Sequence, residues 1–336
     1  MLNNKFYKYF QEMKDNIIQV NNLRKNFSIS VKQTWFANKI KSLFNPQYEE
    51  FEAVKDINFE VSKWEKIAFL GPNWAGKSTT IKMLTWILHQ TEGEINILGM
   101  NPSKDRNKLV YHIWAVFGQI SRLWYHLTAY DTFLLLGTMF DIPEDKLEQR
   151  ISYLINSFEI QDIVNLPVRK LSLGQRMKCE IVASLIHSPQ IVFLDEPTIG
   201  LDMISKQTLR EIINKINETE NTTIFLTSHD LKDIESICDR VIIINYWKIL
   251  FDGSIERLRK EYIQIKTFHV KFAKEYDLSN LDCLDISTSQ DWYTKMEISN
   301  NKEQVNNFFQ KLVSNYEIED ISINDPDIEE IIRQFY

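Results

Sequence analysis

The run Gly71-Pro72-Asn73-Trp74-Ala75-Gly76-Lys77-Ser78-Thr79 puts an ammonium and two hydroxyls directly behind a loop bounded by glycine. This is the pattern GxxxxGK[ST]. Its backbone N–H groups wrap a phosphate chain, Lys77 reaches the β and γ oxygens, and Ser78 offers a hydroxyl to Mg²⁺. Thr79 can add a phosphate contact. Downstream, Ile191-Val192-Phe193-Leu194-Asp195-Glu196 is an apolar run ending in two carboxylates. Beside a phosphate loop, Asp195 is placed to hold the metal's water shell and Glu196 to polarise an attacking water. Alone, two acids at a strand end could equally be solvated or could cap the next helix. Together the two runs describe phosphoryl transfer from a nucleotide to water.

These groups need strands that end at the site and helices that begin there. Apolar alternation predicts strands at 17–20, 54–61, 67–70, 94–98, 113–117, 191–194, 222–227, 240–245 and 249–252. Helical periodicity predicts helices at 79–88, 205–217 and 231–238 and a helix-rich stretch at about 128–187. The alternation of strand and helix implies an α/β fold with the phosphate loop between a strand and a helix. Trp35, Phe36, Ile40, Leu43 and Phe44 repeat at helical spacing inside an apparent insertion. Beyond residue 262 the pattern changes to strands at 265–272, 293–298 and 318–323. A helix with Val305, Phe308, Phe309 and Leu312 on one face lies among them, and a terminal helix follows Asp325. The expected domains are an N-terminal extension at 1–15, a nucleotide-binding α/β domain at 16–260 with its helical part at about 120–187, and an accessory α+β domain at 262–336.

Composition narrows the function. With 336 residues, 44% hydrophobic and 25% charged, the chain is an ordinary folded protein rather than a disordered or collagenous one. Its apolar runs fall short of the roughly 20 residues that span a bilayer, and no signal segment is evident, so a cytoplasmic location is expected. Cys179, Cys238 and Cys283 are scattered and fit neither a disulfide framework nor a zinc site. The net charge of −7 argues against a nucleic-acid partner. The first 45 residues are basic, opposed only by Glu12 and Asp15, whereas the last 75 are acidic.

Leu171-Ser172-Leu173-Gly174-Gln175 lies between the phosphate loop and the strand that ends in Asp195-Glu196, and with it residues 15–258 resemble the ATP-binding subunits of ABC transporters. The resemblance implies a P-loop NTPase of ABC ATPase type, with a RecA-like core, an antiparallel β subdomain and a helical subdomain. It matches Gln119 to the Q-loop, a ligand to Mg²⁺, and Asp195-Glu196 to the metal-and-base pair. It matches Ile199-Gly200-Leu201-Asp202 to the D-loop and His229 to the switch histidine. Tyr48, or alternatively Phe51, stands where the family stacks an aromatic on adenine. Ser172, Gly174 and Gln175 open the helix that, in the family, addresses the γ-phosphate held by the opposite subunit; locally they could be a simple N-cap. The cofactors implied are ATP and Mg²⁺. The implied partners are a second ATPase subunit, identical or paralogous, and an integral membrane permease that holds the chain at the inner face of the membrane. Phe117-Gly118-Gln119, Gln175-Arg176-Met177-Lys178-Cys179-Glu180 and Asp195 to Asp202 resemble bacterial ABC-2 exporters most, as does the C-terminal appendage. The alternatives are a non-transport ABC ATPase and a regulatory subunit with impaired turnover if Trp74 is genuine.

One feature departs from the family, which has glycine where this chain has Trp64, Trp74, Trp86, Trp114 and Trp247. Lys63-Trp64-Glu65 and Tyr246-Trp247-Lys248 lie between strand-like runs, where turns favour glycine, and Trp74 lies inside the phosphate loop. Nine glycines in 336 residues fall well below the usual share of roughly 7%. The expectation is that these five positions are glycine in the organism, specified by a codon, such as a reassigned stop codon, that translation into this sequence renders as tryptophan. Trp124 matches a family aromatic and is expected to be genuine.

Overall fold

The computed structural model describes residues 16–30, 48–118, 121–262, 265–274, 276–278, 281, 283–288, 293–324, 332 and 335. They fall into two compact units that divide after Asp252.

In the first unit, β1 (Asn16–Ser30) pairs antiparallel with β2 (Tyr48–Ser62) and with β4 (Glu92–Ile97) to form a three-stranded sheet. β1 runs well past the predicted 17–20, because Asn26 to Ser30 continue in register with Glu52 to Tyr48. Buried Leu23 stands among Asn21, Asn22, Arg24, Lys25 and Asn26, which break the apolar alternation between Val20 and Phe27. The helical spacing of Trp35 to Phe44 lies outside the described residues.

The second sheet of this unit has the order β5-β6-β7-β3-β8-β9. It comprises β3 (Lys66–Leu70), β5 (Ile113–Phe117), β6 (Ile191–Asp195), β7 (Thr223–Thr227), β8 (Arg240–Asn245) and β9 (Lys248–Ser254). β5, β6, β7, β3 and β8 are mutually parallel, and β3, β6 and β7 lie inside the sheet. Parallel strands covered on both faces read as continuous apolar runs, as Ile67 to Leu70 and Ile191 to Leu194 do. Phe59 of β2 meets Phe69 of β3 and Phe225 of β7 at ring-centroid distances of 5.6 and 6.0 Å, so one aromatic cluster locks the two sheets together.

Helix α1 (Lys77–Leu84) starts two residues before the predicted 79 and stops four before 88. The start follows from the loop closing directly onto the helix at Gly76, and the stop from the left-handed backbone of Trp86. After the short α2 (Arg106–Leu109) comes the helical part: α3 (Ala129–Met139), α4 (Glu144–Ser157), α5 (Gln161–Val164) and α6 (Leu173–Ser184). A reciprocal Thr128–Asp131 capping box starts α3. α7 (Met203–Glu220) is fastened to α4 by Arg150, which pairs with Glu220 at 2.7 Å and donates to the Leu185 carbonyl. α8 (Leu231–Ile237) leads into β8.

The second unit opens with α9 (Ile255–Tyr262), which the sequence reading left unassigned. An antiparallel sheet of order β11-β12-β10-β13 follows, built from β10 (Ile265–Phe272), β11 (Asp285–Thr288), β12 (Thr294–Ser299) and β13 (Ile318–Asn324). Phe268, Val270, Met296 and Ile298 pack against Phe308 and Leu312 of α10 (Lys302–Asn315). Phe309, expected on that face, is 38% exposed instead. The terminal helix expected after Asp325 lies almost entirely outside the described residues.

Candidate active site

Three elements converge because three parallel strands end together. β3 runs into the phosphate loop, β6 delivers Asp195 and Glu196, and β7 delivers Thr227, Ser228 and His229. The register pairs Asp195 with Thr227 across β6 and β7. Ligand sites in open parallel sheets form at such carboxyl ends.

The loop closes through Gly76, whose φ of 99° leads into α1. Lys77 is 6% exposed, and its ammonium donates to the carbonyls of Gly71 at 2.5 Å and Pro72 at 3.2 Å. It stands 3.9 Å from Glu196 Oε1. Burial pulls the Lys77 pKa below its usual value, while Glu196 and Asp195 push the other way. The ammonium is thus desolvated and held by carbonyls that a phosphate chain can replace.

Ser78 Oγ donates to Asp195 Oδ1 at 3.1 Å. Two neighbouring oxygen ligands of an octahedral Mg²⁺ stand about 2.9 Å apart, so this pair has the chemistry and spacing of a hard-cation site completed by phosphate and water. Among the described residues no cluster of three or more His, Cys, Asp or Glu could cage a metal. Gln119 lies outside the described residues. Gly118 donates its N–H to the Asp195 carbonyl at 2.8 Å, and a Cβ on it would stand 2.1 Å from the Glu196 carbonyl oxygen, so only glycine lets β5 end against the acidic turn.

Glu196 adopts a φ of 53°, and its N–H donates to the Thr227 carbonyl at 3.0 Å. Glu196 Oε2 lies 2.7 Å from Nδ1 of His229 and accepts from the His229 backbone N–H at 3.3 Å. The His229 side chain is 58% exposed, against 17% for Glu196. A sheltered carboxylate therefore carries an accessible imidazole, the arrangement for orienting a water and the phosphate it attacks.

Ser172 and Gln175 form a capping box at the start of α6. Ser172 Oγ accepts from the Gln175 N–H, and Gln175 Oε1 accepts from the Ser172 N–H. Both side chains are exposed, so this helix end presents itself to solvent with its own cap satisfied. Gly174 lies tight against Ser205 of α7, and Asp202 caps α7 through the Ser205 N–H and hydroxyl. These hydrogen bonds hold the Asp202 carboxyl below its usual range. Tyr48 begins β2, and the structure does not describe its side chain. Phe51, the alternative, is 41% exposed and meets Trp247 edge-on. Asn73 and Trp74 are exposed on the loop, and Trp74 is the most exposed large hydrophobic described, at 83%.

Sequence reasoning missed the groups that hold the reactive ones in place. Thr227 Oγ1 donates to Asp195 Oδ1 at 2.6 Å and accepts from the Glu196 N–H at 3.2 Å. Fully buried Asp233 accepts from Thr198, from Ser228 at 3.1 Å and from Arg210 at 2.7 Å, fixing the segments on either side of the acids and the histidine. Buried Glu180 accepts from Ser121 Oγ and from the Arg122 and Leu123 N–H groups, pinning the chain just beyond β5. Burial raises the Glu180 pKa, and those hydrogen bonds oppose the rise. The only sequence signal was position: Thr227 ends the strand before His229, and Asp233 follows one turn after Asp230.

Comparison with known proteins agrees with this geometry. A family profile described as ABC transporter matches residues 54–199. The ABC transporter ATP-binding protein NatA of Bacillus subtilis is 31% identical over 64% of this chain and 87% of its own length. The bacitracin transport ATP-binding protein BcrA of Bacillus licheniformis is 32% identical over 63% of this chain and 68% of its own. A dimeric ATP-binding cassette solved in a post-hydrolysis state with ADP and Pi superposes with a TM-score of 0.58, at 22% identity, over 71% of this chain and 98% of that one. With its phosphate loop, acidic strand end and His229 assembled at the ends of three parallel strands, the chain belongs to the ABC transporter family as an ATP-binding subunit, an ABC ATPase.

Proposed function

We propose that the chain hydrolyses Mg·ATP as one half of an ATPase dimer and that turnover drives an exporter permease carried on separate polypeptide. The observation that carries the chemistry is the 2.7 Å contact of His229 with Glu196, whose other carboxylate oxygen lies 3.9 Å from Lys77. The loop N–H groups and Lys77 bind the β- and γ-phosphates. Glu196 takes the proton of the attacking water. His229 orients that water and donates to the γ-phosphate oxygens as charge builds there. Ser78 and Asp195 supply the hard oxygens for Mg²⁺, which neutralises phosphate charge when bound. Ser172, Gly174 and Gln175 of a second subunit, identical or paralogous, close over the nucleotide, and Tyr48 or Phe51 stacks on the base.

No helix among the described residues is long and apolar enough to cross a membrane. In this reading the permease is a separate chain that holds the subunit at the membrane's inner face. The relatives named for transport support the exporter reading. A regulatory subunit that binds nucleotide and turns over slowly is the second reading, favoured by the exposed Trp74 on the phosphate loop. Steady-state ATPase assays with and without membranes containing the co-purified permease test the proposal. Permease-stimulated turnover is expected, and RNA-stimulated turnover with no membrane partner would overturn it.

A further inference from the structure

Six of the eight tryptophans lie within the described residues, and four of them, Trp64, Trp74, Trp86 and Trp247, have φ between 60° and 64°. That is left-handed backbone, which a bulky L-residue rarely adopts. Among all the described phenylalanines and tyrosines only Tyr246 shares it. Aromatic bulk as such is therefore not what these backbone positions select.

Each of the four occupies a different motif, and each motif asks for glycine on its own grounds. Ser62 to Glu65 is a turn closed by the Glu65 N–H on the Ser62 carbonyl at 3.4 Å, with Trp64 as its third residue. The positive φ there is that of a type II turn, whose third position calls for glycine. Pro72 to Ala75 repeats the arrangement inside the phosphate loop, the Ala75 N–H reaching the Pro72 carbonyl at 3.1 Å with Trp74 third. At the end of α1, the Ile87 N–H bonds to the Lys82 carbonyl at 2.7 Å and the Trp86 N–H to the Met83 carbonyl at 3.2 Å. This is a Schellman motif with Trp86 at the left-handed position usually held by glycine. Tyr246 and Trp247 are the two-residue link between β8 and β9, with φ of 48° and 63°, and the turn that fits a twisted hairpin favours Asn-Gly there.

The backbone at these places is tied down by the rest of the fold. The Trp64 N–H donates to Thr223 Oγ1 at 2.7 Å, and its carbonyl accepts from Asn217 at 2.8 Å. The Trp247 carbonyl accepts from the Lys55 N–H at 3.0 Å. The Trp247 indole N–H is buried without a hydrogen-bond partner, so the ring's edge-on contact with Phe51 is made at the cost of an unpaired donor. Trp124 has no such backbone. Trp114 sits in regular strand β5, and its backbone accepts any residue.

We propose that residues 64, 74, 86 and 247 are glycine in the protein made by its own cells, through a codon that those cells read as glycine. The phosphate loop then has no side chain at position 74, and its N–H groups are open to phosphate. The inference rests on backbone geometry and stands apart from the ATPase reading. The test is peptide mass spectrometry on the protein from the cells that encode it, across residues 60–90 and 240–250, together with the codons in the gene. Glycine at all four, from one shared codon that differs from the codon of Trp124, is expected. Tryptophan at any of the four, or the Trp124 codon at all of them, overturns the proposal. ATPase activity enters neither arm, so a failed ATPase assay leaves this result readable.

Discussion

Nδ1 of His229 lies 2.7 Å from Oε2 of Glu196, although 33 positions separate the two residues. The contact follows from one register: Asp195 faces Thr227 across β6 and β7, so the residues that leave the two strands next must meet. The carboxylate and the imidazole are thus set by strand pairing, and the other oxygen of Glu196 lies 3.9 Å from Lys77 of the phosphate loop.

Replacing Glu196 with glutamine keeps the shape and removes the base. Turnover is expected to fall about 10²- to 10⁴-fold while ATP binding persists and the nucleotide-bound dimer accumulates. Single-turnover hydrolysis and size-exclusion chromatography with ATP read both effects, and turnover at the parent rate would remove Glu196 from its role.

Lys77→Ala should act on binding. The desolvated ammonium is replaced by nothing that can meet the β and γ oxygens, so ATP affinity is expected to drop at least about tenfold, which is roughly 1.4 kcal/mol. Equilibrium titration with a fluorescent ATP analogue measures it; unchanged affinity would show that the lysine faces no phosphate.

Thr227→Val conserves shape but deletes the hydroxyl that joins Asp195 to the Glu196 N–H. A lost hydrogen bond of this kind costs about 1–3 kcal/mol in stability. Turnover should fall with little change in ATP affinity, since the acids lose their placement and the loop does not. A fall in affinity alone would contradict the arrangement.

Asp233→Ala leaves the Arg210 guanidinium partly buried, at 12% exposure, without its principal partner. Breaking such a pair costs about 3–5 kcal/mol. Urea unfolding should show the midpoint of the first unit shifting down, with Asp233→Asn intermediate because it keeps an acceptor for Thr198 and Ser228. Equal midpoints for the parent and Asp233→Ala would refute the anchoring role.

His187 supplies a pH test. Burial lowers its pKa to about 4 from 6.5, with Nε2 near the Ile113 carbonyl and Nδ1 buried without a partner. The unfolded chain binds a proton as pH falls through 6.5 whereas the folded chain does not until about 4. Stability is therefore full above the unfolded value and is lost progressively across that window, by up to about 3 kcal/mol. His187→Phe, stacked on Phe140 in the same way, should flatten the profile between those two pH values. An identical slope in both proteins would reject this source.

The chemical groups of the site were legible in the sequence because their signals are local. The GxxxxGK[ST] loop needs its neighbours in chain order, and Asp195 and Glu196 end a continuous apolar run. Such strands read clearly because a parallel strand buried on both faces must be apolar throughout. Long-range placement was not legible. Thr227 and Asp233 carry no motif, and Glu180 stood in a run of resemblance without a role, since each matters only through partners that pairing and packing bring to it from distant segments. The far half of β1 was missed because Asn21, Asn22 and Arg24 to Asn26 interrupt its apolar alternation, and α9 was missed because Ile255, Leu258 and Tyr262, though at helical spacing, make only two turns. The tryptophans divide along the same line. The family resemblance raised the suspicion for five positions and the local sequence supported it at Trp64, Trp74 and Trp247, but a φ value belongs to a fold, and only the folded backbone separates Trp64, Trp74, Trp86 and Trp247 from Trp114.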